Sequence, residues 1–445
     1  MTAAHDTIFA LASGAPPAGV AVIRISGPMA LAALGTLIGG ALPEPRVAAL
    51  RTLRTSSGDI LDKGLVLSFP GPQSFTGEDC AEFHLHGGKA VIAAVFEQLA
   101  GFEGLRLAEA GEFSRRAFEN GKLDLVEIEG LADLLAAETE MQRRLASEQS
   151  SGHLSAIYER WRERLIFARA MIEAELDFSD EGDIPGSVSD RIWSEVAALA
   201  DEIDTVLSTA KTGEIIRDGF RVVLAGAPNA GKSSLMNALV RRDVAIVTEI
   251  AGTTRDIVHC ELDLDGYKVH LFDTAGLRET DEPVEREGIR RAFVTIADAD
   301  LVLHLSELGR APPAELGPVR GDVLTICTKV DLDRPGDTVG YQKGFDVSLS
   351  TVSGTGIDEL RARMLMIVKE RTRVGSLAIP SRLRHAQRLS AARASLRECL
   401  DKKALPLELK AELLRQAADE LARVTGRIDT EMLLGKIFSE FCVGK

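Results

Sequence analysis

The 445-residue chain lacks most of the features that would assign it at a glance. Its five cysteines (Cys80, Cys260, Cys327, Cys399 and Cys442) are scattered. They show neither metal-ligand spacing nor a dense framework, which excludes a zinc module and a disulfide scaffold and fits reduced thiols in a cytosol. No run of about 18 apolar residues occurs, so no membrane span is expected. The opening, Met1-Thr2-Ala3-Ala4-His5-Asp6, has no basic flank of the kind a signal peptide carries. These absences together lead us to expect a cytoplasmic protein. Positive charge is also scarce: 52 Lys and Arg stand against 67 Asp and Glu, a net charge of −15. Any nucleic-acid site must therefore be a local basic patch on an acidic body. The stretch Arg382-Leu383-Arg384-His385 reads first as a solvated helix face. There is no basic KH-type Gly-x-x-Gly module, no polybasic or apolar lipid-binding segment, no internal repeat and no low-complexity tract. Aromatics make up only 5% of the chain, while the hydrophobic share of 45% is ordinary for a globular protein. The length suits about three domains.

The strongest positive signal is Gly226-Ala227-Pro228-Asn229-Ala230-Gly231-Lys232-Ser233, which fits the G-x-x-x-x-G-K-[ST] phosphate-binding loop. An apolar run, Val222 to Ala225, precedes it, and the helical pattern Ser234 to Leu239 follows, which is the strand–loop–helix context the motif needs. The glycines let several N–H groups point at one anion, and the helix N-terminus adds its dipole. Lys232 would reach the β/γ-phosphates, and the Ser233 hydroxyl would ligate Mg²⁺.

Further stations follow in the order a GTPase requires. Gly252-Thr253-Thr254 lies in a loop after the helix, where a threonine, Thr254, completes the Mg²⁺ shell. Asp273-Thr274-Ala275-Gly276 follows the apolar strand Val269 to Phe272; Asp273 would hold Mg²⁺ through water, and the Gly276 N–H would meet the γ-phosphate. Between these loops, Cys260 to Val269 alternates around an Asp-Gly pair and reads as a β-hairpin. Thr328-Lys329-Val330-Asp331 follows the strand Val323 to Cys327. Asp331 can accept two hydrogen bonds from guanine N1–H and N2–H₂, a pair of donors adenine lacks. Asn usually opens that motif; Thr328 offers one hydroxyl, whereas an amide can both bond the base and brace the phosphate loop. The last station is usually Ser-Ala; the candidate here is Ser350-Thr351, ahead of Gly354-Thr355-Gly356 and a helix from Ile357. Leu277 stands where Ras-like enzymes carry the glutamine that orients water. The transition state must therefore be served by a partner's arginine or by a cation held at Asn229.

Short strands (Gly19 to Gly27, Gly64 to Phe69, Ala81 to His86) and a helix from Lys89 to Leu99 predict an α+β N-terminal domain over residues 1–121. Leu131, Leu134, Leu135 and Met141, then Leu165, Ala168, Ile172 and Leu176, recur at helical spacing. Helices are expected over 122–215, broken by an acidic loop from Asp177 to Pro185 that lacks the twelve-residue Ca²⁺ pattern. The nucleotide motifs occupy 216–374, and helices return over 375–445 (Leu383 to Leu400, Leu407 to Val424, Thr430 to Phe441). The termini of a G domain lie close together, so it can interrupt a helical bundle. The expected architecture is an α/β P-loop G domain inserted into one discontinuous all-α helical domain, preceded by the α+β domain.

Several further blocks carry a family resemblance. They are Asp6-Thr7-Ile8 with Arg24-Ile25-Ser26-Gly27; Ser74 to Asp79 with Glu82 and His86-Gly87-Gly88; Gly111 to Phe118 with Asn120 and Lys122 to Leu125; and the terminal Cys442-Val443-Gly444-Lys445. With the G-domain stations, they make the whole chain resemble the MnmE (TrmE) family of bacterial tRNA modification GTPases. The resemblance implies a K⁺-activated GTPase whose G domains dimerise with GTP bound. Asn229, Thr248, Ile250 and Thr253 would ligate K⁺, which would stand in for an arginine finger. Nucleotide contacts would come from residues 229–234 (Asn229, Ala230, Gly231, Lys232, Ser233, Ser234) and 248–254 (Thr248, Glu249, Ile250, Ala251, Gly252, Thr253, Thr254). The remaining contacts would come from Asp273, Thr274, Ala275, Gly276, Thr328, Lys329 and Asp331. Glu285 matches the glutamate that positions the attacking water; by itself it is a charged residue on a switch segment.

The resemblance also implies that the N-terminal domain dimerises and binds a 5-formyl- or 5,10-methylene-tetrahydrofolate through Arg24, Glu82 and Lys122, with Lys445 closing the pocket. Cys442 would be a redox or nucleophilic residue, or a small packed side chain. The implied activity needs Mg²⁺, K⁺ and the folate, and a homodimer joined to an FAD-dependent MnmG-like partner in a heterotetramer-type complex. That complex would form a 5-(carboxymethyl)aminomethyl-type group at the wobble uridine of certain tRNAs. The alternative is a GTP-switched ribosome-assembly or interaction factor without modification chemistry.

Overall fold

In the computed structural model, the described residues are 6–177, 188–242, 259–273, 297–310, 316, 319–332, 344–402, 404–428 and 444. The N-terminal part runs β1 (Thr7–Leu11), β2 (Ala18–Ser26), α1 (Ala30–Ile38), β3 (Ala49–Arg54), β4 (Ile60–Phe69), β5 (Cys80–Gly87), α2 (Lys89–Ala100), β6 (Leu105–Leu107) and α3 (Glu112–Glu119). Helices follow: α4 (Leu125–Ala136), α5 (Glu140–Ser150), α6 (His153–Asp177), α7 (Val188–Ser208) and α8 (Ala210–Asp218). Next come β7 (Phe220–Gly226), α9 (Lys232–Arg242), β8 (His259–Leu264), β9 (Tyr267–Asp273), β10 (Leu301–Glu307), β11 (Asp322–Thr328), β12 (Val347–Ser348) and α10 (Ile357–Arg371). The last two elements are α11 (Leu383–Asp401) and α12 (Leu407–Thr425). Two compact units result: residues 1–132, 150–192 and 401–445 form one, and residues 133–149 and 193–400 the other.

The first unit holds a six-stranded sheet in the order β3-β4-β5-β2-β1-β6. All its pairings are antiparallel except β1 with β6. Alternation along the strands decides its faces. Phe9, Ile23, Ile25, Phe83 and Leu85 turn one way and pack with Leu34 and Leu37 of α1 and Val95 and Leu99 of α2. Ile8 and Ala10 turn the other way, toward Phe113 of α3 and Phe75. Arg24 lies between Ile23 and Ile25 in β2, so it shares this second face. In the same unit α6 lies along α12. Leu154, Tyr158, Trp161, Leu165, Ala168 and Ile172 are buried on α6, and Leu414, Ala417, Leu421 and Ala422 on α12. Burying each large apolar side chain is worth about 1.5–3 kcal/mol, so the seam outweighs any helix propensity along it.

The second unit is built on a sheet in the order β12-β11-β10-β7-β9-β8. All its pairings are parallel except β8 with β9. Its central strands β7 and β10 are near-continuous apolar runs because both faces are covered; Val222, Leu224, Leu301, Leu303 and Leu305 pack with Leu235 and Leu239 of α9 and Leu360 and Met364 of α10. The expected hairpin is present: Asp265 (φ 53°) and Gly266 (φ 89°) make its two-residue turn, with both residues left-handed as a type I′ turn requires. Arg393 and Arg397 of α11 pair with Asp201 and Asp204 of α7.

One expected run is interrupted. Leu131, Leu134, Leu135 and Met141 do not belong to one helix, because α4 stops at Ala136 and α5 starts at Glu140. The Gln142 side chain accepts from the Glu138 and Thr139 N–H groups and caps the new start. Leu135 is left 51% exposed. The acidic stretch after Asp177 and the helix expected from Thr430 to Phe441 lie outside the described residues.

Candidate functional site

The phosphate loop sits where β7 gives way to α9. Gly226 has φ 139°, and a Cβ there would lie 2.3 Å from the Leu305 carbonyl oxygen, so glycine is what lets the strand end pass β10. Asn229 turns left-handed at φ 64°, a conformation asparagine tolerates. The Lys232 ammonium folds back over the loop, donating to the carbonyls of Gly226 at 2.7 Å and Ala227 at 2.9 Å. Burial pulls its pKa below the usual lysine value, opposed by the nearby Asp273 charge. A charge partly stripped of water attracts phosphate oxygens more strongly than an exposed lysine would.

Beside it, β9 runs parallel to β7, and the register sets Asp273 opposite Leu224. That pairing brings Asp273 to the foot of α9, where its Oδ2 accepts the Ser233 hydroxyl at 2.6 Å. Two hard oxygen donors thus meet at the base of a phosphate loop. This is a fitting donor set for Mg²⁺, which takes one or two protein oxygens and leaves its other positions to water and phosphate.

The Thr328–Asp331 station, expected from the sequence to read the base, lies at the end of β11. Thr328 is buried, and its hydroxyl is 2.8 Å from the Ala230 carbonyl and 3.2 Å from that of Ser306. Lys329 is left-handed at φ 60°, and its ammonium pairs with Glu307 at 3.0 Å. Asp331, on a short turn of 3-10 helix from Val330 to Leu332, is exposed. The Ser350-Thr351 candidate falls directly after β12. The Leu349 carbonyl accepts the Val330 N–H, and the Ser350 hydroxyl accepts the N–H groups of Val352 and Ser353. That turn therefore adjoins the Thr328–Asp331 station.

In the first unit, β2 and β5 set Arg24 opposite Glu82. The guanidinium donates to Glu82 Oε1 at 2.9 Å, while His84 Nε2 lies 3.1 Å from Glu82 Oε2. Two rings flank the cation, with centroids at 5.3 Å for Phe75 and 5.9 Å for Phe113. Lys122 donates to the Pro72 carbonyl at 3.0 Å, on the loop that carries Phe75. Arg24 thus orients the Glu82 carboxylate. The oriented carboxylate and the half-buried Phe75 ring suit a planar, amide-edged ring, and the Lys122 ammonium suits an anionic tail; Phe113 is fully buried and only packs against Arg24. Gly444 (φ 104°) reaches β1 in the same unit, and a Cβ there would lie 2.2 Å from the Leu11 carbonyl oxygen.

Comparison with known proteins then decides the family. Residues 125–442 match the family model described as the MnmE helical domain, and residues 7–122 match the GTP-binding protein TrmE N-terminus. The chain is 59% identical over 446 aligned residues to the tRNA modification GTPase MnmE of Sinorhizobium medicae (strain WSM419), covering 99% of each chain. The chain belongs to the MnmE family. The MnmE protein of Rhizobium etli (strain CIAT 652) is 57% identical, with 100% of both chains covered. Among solved structures, Era of Aquifex aeolicus bound to GDP and aluminium fluoride aligns with a TM-score of 0.28 at 22% identity, covering 39% of this chain and 66% of that one.

Of the residues expected from the MnmE resemblance, Arg24 and Glu82 are brought together. Asn229 to Ser234 and Asp273 converge at the phosphate loop, and Thr328 touches that loop. Thr248 to Thr254, Thr274 to Gly276, Glu285, Cys442 and Lys445 lie outside the described residues. Sequence reasoning did not find His84, Phe75 or Phe113, since nothing in their spacing separates a site residue from a packed one. It also assigned no role to Asp6, Glu78, Arg106, Glu112 and Arg116. These form one ion-pair cluster that ties α3 to the start of β1 and to the Ser74–Asp79 block.

Proposed function

We propose that this chain is a Mg²⁺-dependent, K⁺-activated GTP hydrolase that works as a homodimer in the cytoplasm. With an FAD-dependent MnmG-like partner in a heterotetramer-type complex, it installs a 5-(carboxymethyl)aminomethyl-type group on the wobble uridine of certain tRNAs. The observation that carries the GTPase part is the meeting of Ser233, Asp273 and the folded-back Lys232 at one phosphate loop. Lys232 would hold the β/γ-phosphates, Ser233 would ligate Mg²⁺ directly and Asp273 through water, and Asp331 would read the guanine edge. Glu285 positions the attacking water. Thr254 would complete the Mg²⁺ shell when GTP is bound, and Asn229, Thr248, Ile250 and Thr253 would offer oxygens to K⁺. Bound K⁺ would supply positive charge where negative charge develops between the phosphates.

In the N-terminal domain, Glu82, held by Arg24 and His84, reads the pterin edge, and Lys122 pairs with the anionic tail. Lys445 would close the pocket, a reading supported by Gly444 lying against β1. Bound 5-formyl- or 5,10-methylene-tetrahydrofolate would supply the one-carbon unit. The segments 122–215 and 375–445 act as one discontinuous helical domain that transmits G-domain closure to the N-terminal dimer over residues 1–121. GTP hydrolysis over 216–374 drives that movement rather than bond making itself. Cys442 takes part in the modification step.

The test is nucleoside analysis of tRNA from a deletion strain, complemented with the wild-type gene or an Asp273→Asn variant. We expect the 5-substituted wobble uridines to disappear and to return only with the wild-type gene. Unchanged wobble uridines in the deletion strain would favour a GTP-switched assembly factor instead.

A further inference from the structure

We infer that this chain recognises guanine without any contact from residue 328 to N7, and that Thr328 is a positioning residue for the phosphate loop. The inference rests on the GTP-binding reading above. A hydroxyl has one hydrogen to donate. That of Thr328 is directed at the Ala230 carbonyl at 2.8 Å, with the Ser306 carbonyl second at 3.2 Å. Both neighbours are acceptors, and guanine N7 is also only an acceptor. To reach N7 the hydroxyl would have to abandon Ala230, a residue only 3% exposed. A buried carbonyl left without its donor costs more than one neutral bond to the base returns. Thr328 itself is 2% exposed and has no side-chain surface to offer a base.

The same bond gives Thr328 its work. Ala230 is two residues before Lys232, and its carbonyl is tied to the end of β11. A Cβ on the adjacent Gly231 would lie 3.8 Å from the Thr328 side chain, so the loop passes close by it. The brace fixes the turn from which the phosphate-binding N–H groups point. Base identity is then carried by the Asp331 carboxylate at the N1/N2 edge, with no reading of the N7 side by this residue.

The experiment is equilibrium competition against a fluorescent GDP analogue, using the full-length protein with Mg²⁺. The competitors are GDP, 7-deaza-GDP (in which N7 is replaced by C–H) and ADP. We expect GDP and 7-deaza-GDP to bind within about twofold of each other, and ADP far more weakly. Thr328→Val should weaken GDP and 7-deaza-GDP by the same factor, about fivefold or more, because the Ala230 carbonyl loses its donor. Thr328→Ser, which keeps the hydroxyl, should bind both as the wild type does. A 7-deaza penalty of about fivefold or more in the wild type would overturn the inference. So would a Thr328→Val variant that lost GDP affinity but kept that for 7-deaza-GDP, or one that bound both normally. Equal binding of GDP and ADP by the wild type would be a different failure, that of the guanine-nucleotide reading itself.

Discussion

Replacing Arg116 by methionine removes the centre of the ion-pair cluster under α3 while keeping the side chain's length and most of its packing. The Arg116 side chain is only 10% exposed. Its guanidinium donates to the Asp6 carbonyl at 2.9 Å, to Asp6 Oδ1 at 2.7 Å, to Glu112 Oε1 at 3.0 Å and to both Glu78 oxygens at 3.2 Å. Removing one partner of a buried pair typically costs about 3–5 kcal/mol, because the other charge stays buried without it. Arg106 still reaches Asp6 and both oxygens of Glu112, and Ser26 still bonds Glu78. The loss should therefore fall near the lower end, about 3 kcal/mol.

Hydrogen exchange followed by mass spectrometry reads this region by region. A loss of that size accelerates exchange of amides in β1, β2 and α3 by about a hundredfold, while peptides from β7, β10 and β11 stay as they were. The effect also has a pH signature. Burial pushes the Asp6 and Glu112 carboxyls up, but bonds from Arg106 and Arg116 outweigh it and hold both below the usual carboxylate range. A depressed folded pKa stabilises fully above the ordinary value of about 4 and is lost as pH falls through the lower folded value. Wild-type protection in these strands should thus fall on the acid side of pH 4, and Arg116→Met should flatten that dependence. A change in exchange of less than about threefold at neutral pH would refute the reasoning and mark the cluster as a surface decoration.

Three further outcomes follow from the sites. Asp331→Asn replaces the acceptor proposed to read two guanine donors and should weaken GDP by at least about tenfold while improving xanthosine diphosphate, read by nucleotide competition. Gly226→Ala drives a Cβ to 2.3 Å from the Leu305 carbonyl oxygen and should abolish nucleotide binding in calorimetry while leaving exchange in β2 and β5 unchanged. Glu82→Gln keeps the shape but weakens the bond to Arg24 and the reading of a pterin edge; it should cost 5-formyl-tetrahydrofolate about tenfold or more in affinity by calorimetry.

Much of the scaffold was legible because local chemistry agreed with the fold. The alternation around Arg24 marked β2, the Asp265-Gly266 pair marked the hairpin, and the Gly226–Ser233 run carried strand, loop and helix together. The break between Leu135 and Met141 was illegible for a local reason. Periodicity continued across a break made by the Gln142 cap, and periodicity does not register a cap built from a side chain bonding backwards. Beyond the i,i+4 pair of Arg116 with Glu112, the cluster was illegible because Asp6 and Glu78 stand 110 and 38 positions away in sequence. Whether a charged residue is a solvated surface group or a buried brace is decided by packing. The bond of Thr328 to the Ala230 carbonyl was illegible for the same reason. Only the placement of β11 against the phosphate loop reveals that its single hydrogen is already committed to Ala230.

The central claim is that a K⁺-activated G domain powers the modification cycle. It is tested most directly by GTP turnover of the purified protein in KCl and in NaCl at matched ionic strength, with ATP as control. The account predicts turnover that is strongly faster in KCl, with an Asn229→Ala variant losing the difference and ATP left unhydrolysed in both salts. Equal GTP turnover in the two salts would contradict it and would move the missing positive charge from a cation at Asn229 to an arginine supplied by a partner.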